Sequence, residues 1–134
     1  MSDTIMVSIL CTAYNHEAYI RQALESMLEQ DCAFDYEILV NDDASTDGTA
    51  AIIRELEQTA PGKLRPFYQQ ENMYSRDIDI YQVVFYPNAR GKYIAFCEGD
   101  DFWSDATKLQ RQVDFLESHP EYSACVHNTM LHFC

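Results

Sequence analysis

RGKYIAFCEGDDFW, Arg90 to Trp103, carries a short apolar run straight into a cluster of carboxylates. Tyr93, Ile94, Ala95 and Phe96 are bounded by Gly91 and Gly99, the pattern of a strand buried on both faces at the centre of a parallel sheet. Glu98, Asp100 and Asp101 follow at its C-terminal end, where open α/β sheets place their ligands. Two like charges about 4 Å apart, at an effective dielectric near 20, repel by roughly 4 kcal/mol. Carboxylates this close in sequence therefore either splay into solvent or converge on a hard cation with oxygen ligands. A buried strand in front of them favours convergence, and Gly99 permits the close backbone approach that a metal turn needs.

Composition narrows the alternatives. A chain of 134 residues, 47% hydrophobic, is long enough for one domain with a real core. Its net charge of -13, from 22 acidic against 9 basic residues, argues against nucleic acid or an anionic lipid surface as partner. Nothing approaches the roughly 20 apolar residues of a membrane span, and the start lacks a signal peptide's basic and apolar regions. The expected compartment is the cytoplasm. Cys11, Cys32, Cys97, Cys125 and Cys134 form neither a C-x-x-C pair nor an even framework, so they read as reduced thiols. His16, His119, His127 and His132 are scattered, and none is assigned as a ligand.

Along the chain, Ile5 to Thr12 reads as a buried first strand, followed by a polar turn through Tyr14, Asn15 and His16. Ala18, Ile20, Ala23, Leu24, Met27 and Leu28 form the apolar stripe of a helix, with Asn15 as its expected N-cap. Tyr36 to Asn41 is a second strand running into another acidic turn, Asp42 to Thr49. This turn opens like a calcium loop, but Arg54 stands where the bidentate glutamate belongs, so that reading fails. Ser45 or Asp47 is expected to cap the helix Thr49 to Gln58. Capping leaves Asp42 and Asp43 at the strand tip unexplained. Leu64 to Gln69 suggests an edge strand holding Pro66, and Ile80 to Phe85 a helix stopped by Pro87. Thr107 to Ser118 reads as a helix with Leu109, Val113 and Leu116 inward, and Tyr122 to His127 as a further strand. Strands alternating with helices predict an α/β domain, mainly parallel, with helices on both faces.

VSILCTAYN (Val7 to Asn15), EILVNDDASTDGT (Glu37 to Thr49), GKYIAFCEGDD (Gly91 to Asp101) and KLQRQ (Lys108 to Gln112) carry a resemblance. In order and spacing they are similar to the N-terminal, nucleotide-sugar-binding portion of a family 2 glycosyltransferase. The resemblance implies the Rossmann-like GT-A fold and transfer from a nucleoside diphosphate sugar, a UDP-sugar, to a saccharide or lipid-linked saccharide acceptor, with inversion. It implies that Thr12 and Tyr14 line the base, that Asp42 or Asp43 hydrogen-bonds its edge, and that Asp100 and Asp101 contact the ribose and a divalent cation, Mn²⁺ or Mg²⁺. Such a cation suits an acidic protein with no glycine-rich phosphate loop. Glu98 replaces the family's usual first aspartate and ranks below those two, as does Arg76, a candidate diphosphate contact where the family's central pattern is poorly kept. Trp103 is expected to pack the crevice wall or the core.

By the same resemblance the general base lies beyond Cys134, so residues 1–134 are expected to be one donor-binding domain of a longer catalytic domain, inactive or nearly so alone. A lipid-linked acceptor leaves peripheral membrane association open. A non-catalytic nucleotide-sugar-binding domain is the second reading. A sugar-1-phosphate nucleotidyltransferase expects a glycine-rich basic turn where this chain has TAYNHEAY. A receiver domain expects its acidic pair after the first strand.

Overall fold

The computed structural model describes residues 4–124. Its elements are β1 (Ile5–Ala13), α1 (Ile20–Leu28), β2 (Tyr36–Asp42), α2 (Thr49–Thr59), β3 (Leu64–Tyr68), α3, β4 (Gly91–Phe96) and α4 (Lys108–Ser118). In α3 a π-helical stretch, Tyr81–Phe85, runs directly into a short α-helix, Tyr86–Asn88. The four strands are all parallel, in the order β3-β2-β1-β4. Winding runs from β1 outward to β3 and then returns to the other side of β1. That reversal opens a crevice between the C-terminal ends of β1 and β4.

Strand alternation sorts the apolar residues into two cores. Val7, Ile9, Cys11, Ile38 and Val40 meet Ile20, Leu24 and Met27 of α1, Ile53 and Leu56 of α2, and Leu109 and Val113 of α4. Leu10 and Leu39 point the other way, onto Ile80, Val84 and Phe85 beneath α3. Helices therefore cover both faces, as the sequence predicts.

Four expectations change. The doubly buried strand is β2, every residue of which is buried; β4 lies at an edge among the described residues, with Ile94 38% and Phe96 57% exposed. An apolar run records what the faces of a strand meet, not whether a neighbour lies on each side. Asn15 does not cap α1: the helix begins at Ile20 behind Tyr19, and Asn15 turns left-handed (φ 52°) to accept the Thr46 amide at 2.8 Å. Pro87 does not stop the helix at Phe85: the stretch Tyr81–Phe85 runs on through Tyr86 and Pro87 and ends one residue later, at Asn88. Half of the expected strand Tyr122 to His127 lies outside the described residues, and its described half, Tyr122 to Ala124, is not strand. Pro66 does mark an edge strand, and Trp103 does pack on the larger core.

At the end of the sheet away from the acidic tips, one buried carboxylate ties all four strands. Glu37 of β2 is 1% exposed. It accepts the Ser8 hydroxyl of β1 (2.6 Å), the Arg65 guanidinium of β3 (2.8 Å), and the Arg90 amide and side chain (2.8 and 2.9 Å) just before β4. Ser8 in turn accepts the Gly91 amide at 2.8 Å. A Cβ at Gly91 would lie 2.5 Å from the Ser8 nitrogen, so only glycine lets β4 come this close.

Burial opposes ionisation of Glu37, but the hydrogen bonds from Ser8, Arg90 and Arg65 outweigh it and hold its pKa below the usual glutamate value. A folded pKa below the unfolded one stabilises above the unfolded pKa, and that contribution is lost as pH falls through the folded value. Glu37→Ala removes the anion facing Arg65 and Arg90, leaves the buried Ser8 hydroxyl and the Arg90 amide without their acceptor, and is expected to cost about 1–3 kcal/mol, read as a lower urea midpoint at unchanged slope. The difference from wild type should shrink in acid; an equal loss at neutral and acid pH would show that the charge is not what matters.

Candidate functional site

Three turns meet at the crevice. The turn after β1 is laced to the turn after β2: the Asn15 amide donates to Ser45 Oγ (2.9 Å), the Glu17 amide to Asp47 (3.2 Å) and the His16 amide to Thr49 Oγ1 (2.9 Å). Neither expected residue is the N-cap of α2, which is Gly48: Asp47, one residue before it, accepts the Thr49 amide at 3.0 Å, and Ser45 pairs with Asp42. Ala44 is held left-handed (φ 60°), a conformation costing an L-residue roughly 1–2 kcal/mol, in the tightest part of this lacing. The third turn, after β4, is fixed to the first by the Gly99 amide on the Thr12 carbonyl (2.8 Å).

That last bond brings the acidic residues to the mouth of the crevice. Ligand oxygens of Glu98, Asp100 and Asp101 all lie within 4.8 Å of one another, and all three residues are exposed. Three hard oxygen donors at this spacing fit Mg²⁺ or Mn²⁺ in chemistry and reach, with open positions left for a ligand. Glu98, ranked below its neighbours from sequence, lies in the same cluster. Beneath them Cys97 is buried, and burial, followed by the Asp101 charge, pushes its thiol up to about 12. It is therefore an inert core thiol.

The remaining expected residues divide. Tyr14 is exposed at the crevice and Thr12 is half-buried beside it. Asp42 and Asp43 are buried. Asp42 accepts the Ser45 hydroxyl; Asp43 accepts the Met73 amide (2.7 Å) and the Tyr74 amide (3.1 Å), one on each carboxylate oxygen. Asp43 is thus also the anchor of the segment after β3. Arg76 is exposed, and its recorded ion pair is with Glu71 rather than with the acidic turn.

Two further features lie at the site. Tyr81, Tyr86 and Phe96 join Cys97, Glu98 and Asp101 around an open trough of about 410 Å³. Burial, followed by the Glu98 charge, raises the Tyr81 phenol, and a Thr12 hydrogen bond opposes this. The second is His16, whose Nε2 lies 3.9 Å from Asp100. Both sit at the crevice end of the sheet, and that shared end is the signal that would have found them.

The family model for Glycosyl transferase family 2 matches residues 8–130. The chain belongs to that family. An uncharacterized protein of Mycobacterium tuberculosis, Rv1520, is 42% identical over 123 residues, covering 90% of this chain and 34% of the relative. Escherichia coli WfaP, named as a UDP-Glc:alpha-D-GlcNAc-diphosphoundecaprenol beta-1,3-glucosyltransferase, is 33% identical over 84% of this chain and 42% of its own. The crystal structure of S. aureus TarS with UDP-GlcNAc superposes with a TM-score of 0.73 at 27% identity, over 87% of this chain and 32% of that one. The GT-A fold expected from the sequence is borne out by this likeness. The chain spans about a third of the length of Rv1520, 34% of it.

Replacing Asp43 by Asn sets an amide against two backbone N–H groups, leaving at least one donor unpaired at about 1–3 kcal/mol. Asp43→Asn is therefore expected to lower stability by that amount and to speed hydrogen exchange at the Met73 and Tyr74 amides. Unchanged exchange there would mean that the carboxylate does not hold this segment.

Proposed function

We propose that this chain is the donor-binding part of a family 2 glycosyltransferase that transfers a hexosyl group from a UDP-sugar to an acceptor hydroxyl with inversion. The observation that carries the reading is the convergence of Glu98, Asp100 and Asp101, oxygens within 4.8 Å, at the strand-order reversal. Asp100 and Asp101, with Glu98 beside them, would hold a divalent cation, Mn²⁺ or Mg²⁺. Bound there, such a cation neutralises the donor diphosphate and stabilises it as a leaving group.

In this proposal the chain's own residues bind and orient. Tyr14 offers an exposed ring for stacking on the base, and Thr12 closes the base pocket from below. Asp42 or Asp43 recognises the base edge, the Asp43 carboxylate being held in place by the Met73 and Tyr74 amides. Asp100 also serves the ribose. Arg76 is kept only as a diphosphate contact that would first have to leave Glu71. We assign no general base among residues 4–124, and the carboxylate that takes the acceptor proton belongs, in this proposal, to a later part of the domain. TarS and WfaP support the donor class, TarS bound to UDP-GlcNAc and WfaP named for UDP-Glc.

WfaP is also named for an undecaprenol-linked acceptor, which supports a lipid-linked saccharide here. No described helix is long and apolar enough to cross a membrane. The proposal places the domain in the cytoplasm, reaching a lipid-linked acceptor from the membrane face.

The test is calorimetric titration of UDP and GDP with Mn²⁺, with Mg²⁺ and with chelator. UDP is expected to bind only with metal. Loss of a group one shell out from a metal already weakens binding about 10–100-fold, so Asp101→Ala is expected to weaken it at least as much. Metal-independent UDP binding that survives Asp101→Ala would refute the cation role while leaving the nucleotide site, and no binding under any condition would refute both.

A further inference from the structure

We infer that His16 is a positioning residue for the Asp100 carboxylate. The inference rests on the cation site proposed above and adds to it a residue from a different strand tip. His16 is held by its backbone before its side chain does anything. Its amide donates to Thr49 Oγ1 at 2.9 Å, and its carbonyl accepts the Tyr19 and Ile20 amides at 2.9 and 2.8 Å, at the entry to α1. The ring is therefore carried by a fixed frame into the space beside the acidic turn.

Gly99 makes that space. A Cβ there would stand 2.8 Å from His16 Nδ1 and 3.0 Å from the Thr12 carbonyl oxygen, so any other residue would displace the ring or the turn. The ring's two nitrogens then meet different surroundings. Nδ1 is buried and finds no hydrogen-bond partner among the described residues. Nε2 faces Asp100 Oδ2 at 3.9 Å, with the His16 side chain 22% exposed. A carboxylate only accepts, so the nitrogen that serves Asp100 is the one bearing a proton, which leaves the lone pair on Nδ1.

At 3.9 Å the pair is about 1 Å too long for a hydrogen bond, and a modest rotation of the exposed Asp100 side chain closes it. Cation binding supplies the reason to rotate. A carboxylate that ligates through one oxygen leaves the other to be oriented, and ligating carboxylates are themselves hydrogen-bonded as a rule. His16 stands where that second oxygen needs a donor. The competing account, that the ring merely fills the hole beside Gly99, predicts that shape matters and the Nε2–H does not.

Mn²⁺ titration of residues 1–134, read by the EPR signal of free Mn²⁺ alongside a thermal melt, separates the two. His16→Ala is expected to weaken Mn²⁺ binding about 10–100-fold. His16→Gln, whose amide reaches toward the Nε2 position, is expected to restore it, and His16→Asn, whose amide reaches only the Nδ1 position, is not. Combined with Asp100→Asn, His16→Ala should cost less than the sum of the two alone. Additive losses, Mn²⁺ affinity unchanged in His16→Ala, or His16→Gln as weak as His16→Ala would each overturn the role. Where His16→Ala fails to fold, His16→Asn decides, and wild-type affinity in it overturns the role as well. Binding abolished by Asp101→Ala but untouched at His16 overturns only this inference; a wild-type chain that takes no Mn²⁺ overturns the cation site and this role with it.

Discussion

The buried Glu37 carboxylate fixes the register on which the rest of the molecule depends. It binds groups from β1, β3 and the start of β4 at one end of a four-stranded sheet. A slip of one residue would turn every side chain of a strand to the opposite face. Register set at that end is delivered at the other, where Ala13 pairs with Asp42 and Leu10 with Phe96. The strand tips carrying Thr12, Asp43 and Glu98 therefore arrive together. A buried charge is a poor source of stability, and an apolar replacement of all four groups would hold the layers equally well. What the ionic knot adds is direction: the Ser8, Arg65 and Arg90 donors satisfy Glu37 in one alignment only.

Much of the fold was legible because local pattern and tertiary role coincide. In β1 and β2 an apolar run ends in a polar turn, and helices α1, α2 and α4 show one stripe each, of which Ile20, Leu24, Ile53, Leu109 and Val113 are buried. Pro66 betrayed β3 as an edge because its missing N–H is a tertiary constraint written in one residue. β4 misled for the opposite reason. Tyr93 and Ala95 pack on the larger core while Ile94 and Phe96 face the α3 side half-covered, and alternation between two apolar surfaces looks like burial between neighbours. The start of α1 was misread because Asn15, a good cap by type, is committed to Thr46, far along the chain.

The candidate site divides along the same line. Glu98, Asp100 and Asp101 are adjacent in sequence, and their convergence needs only a turn. Asp43 also stood out as an unexplained acid, yet its use of the Met73 and Tyr74 amides could not be read, since its partners lie beyond β3 in an irregular stretch. His16 was dismissed as one scattered histidine. What gives it meaning is Gly99, some eighty residues away and brought beside it by the β1–β4 pairing.

The surface charge makes a final point about how such a crevice can work. Among the described residues no basic residue lines the trough, and Arg76, Arg54 and Lys108 are engaged with Glu71, Tyr68 and Trp103. A nucleoside diphosphate entering under the proposed reading meets carboxylates instead. At about 4 Å each like-charge pair opposes binding by roughly 4 kcal/mol at an effective dielectric of 20. Two such pairs cancel the whole free energy of a micromolar complex, about 8 kcal/mol. A cation between them reverses both signs at once. Cation and diphosphate then bind as one event, each raising the affinity of the other by the same factor. Under the proposed reading, in a chain with net charge -13, that coupling would admit a nucleoside diphosphate whose own charge opposes its entry.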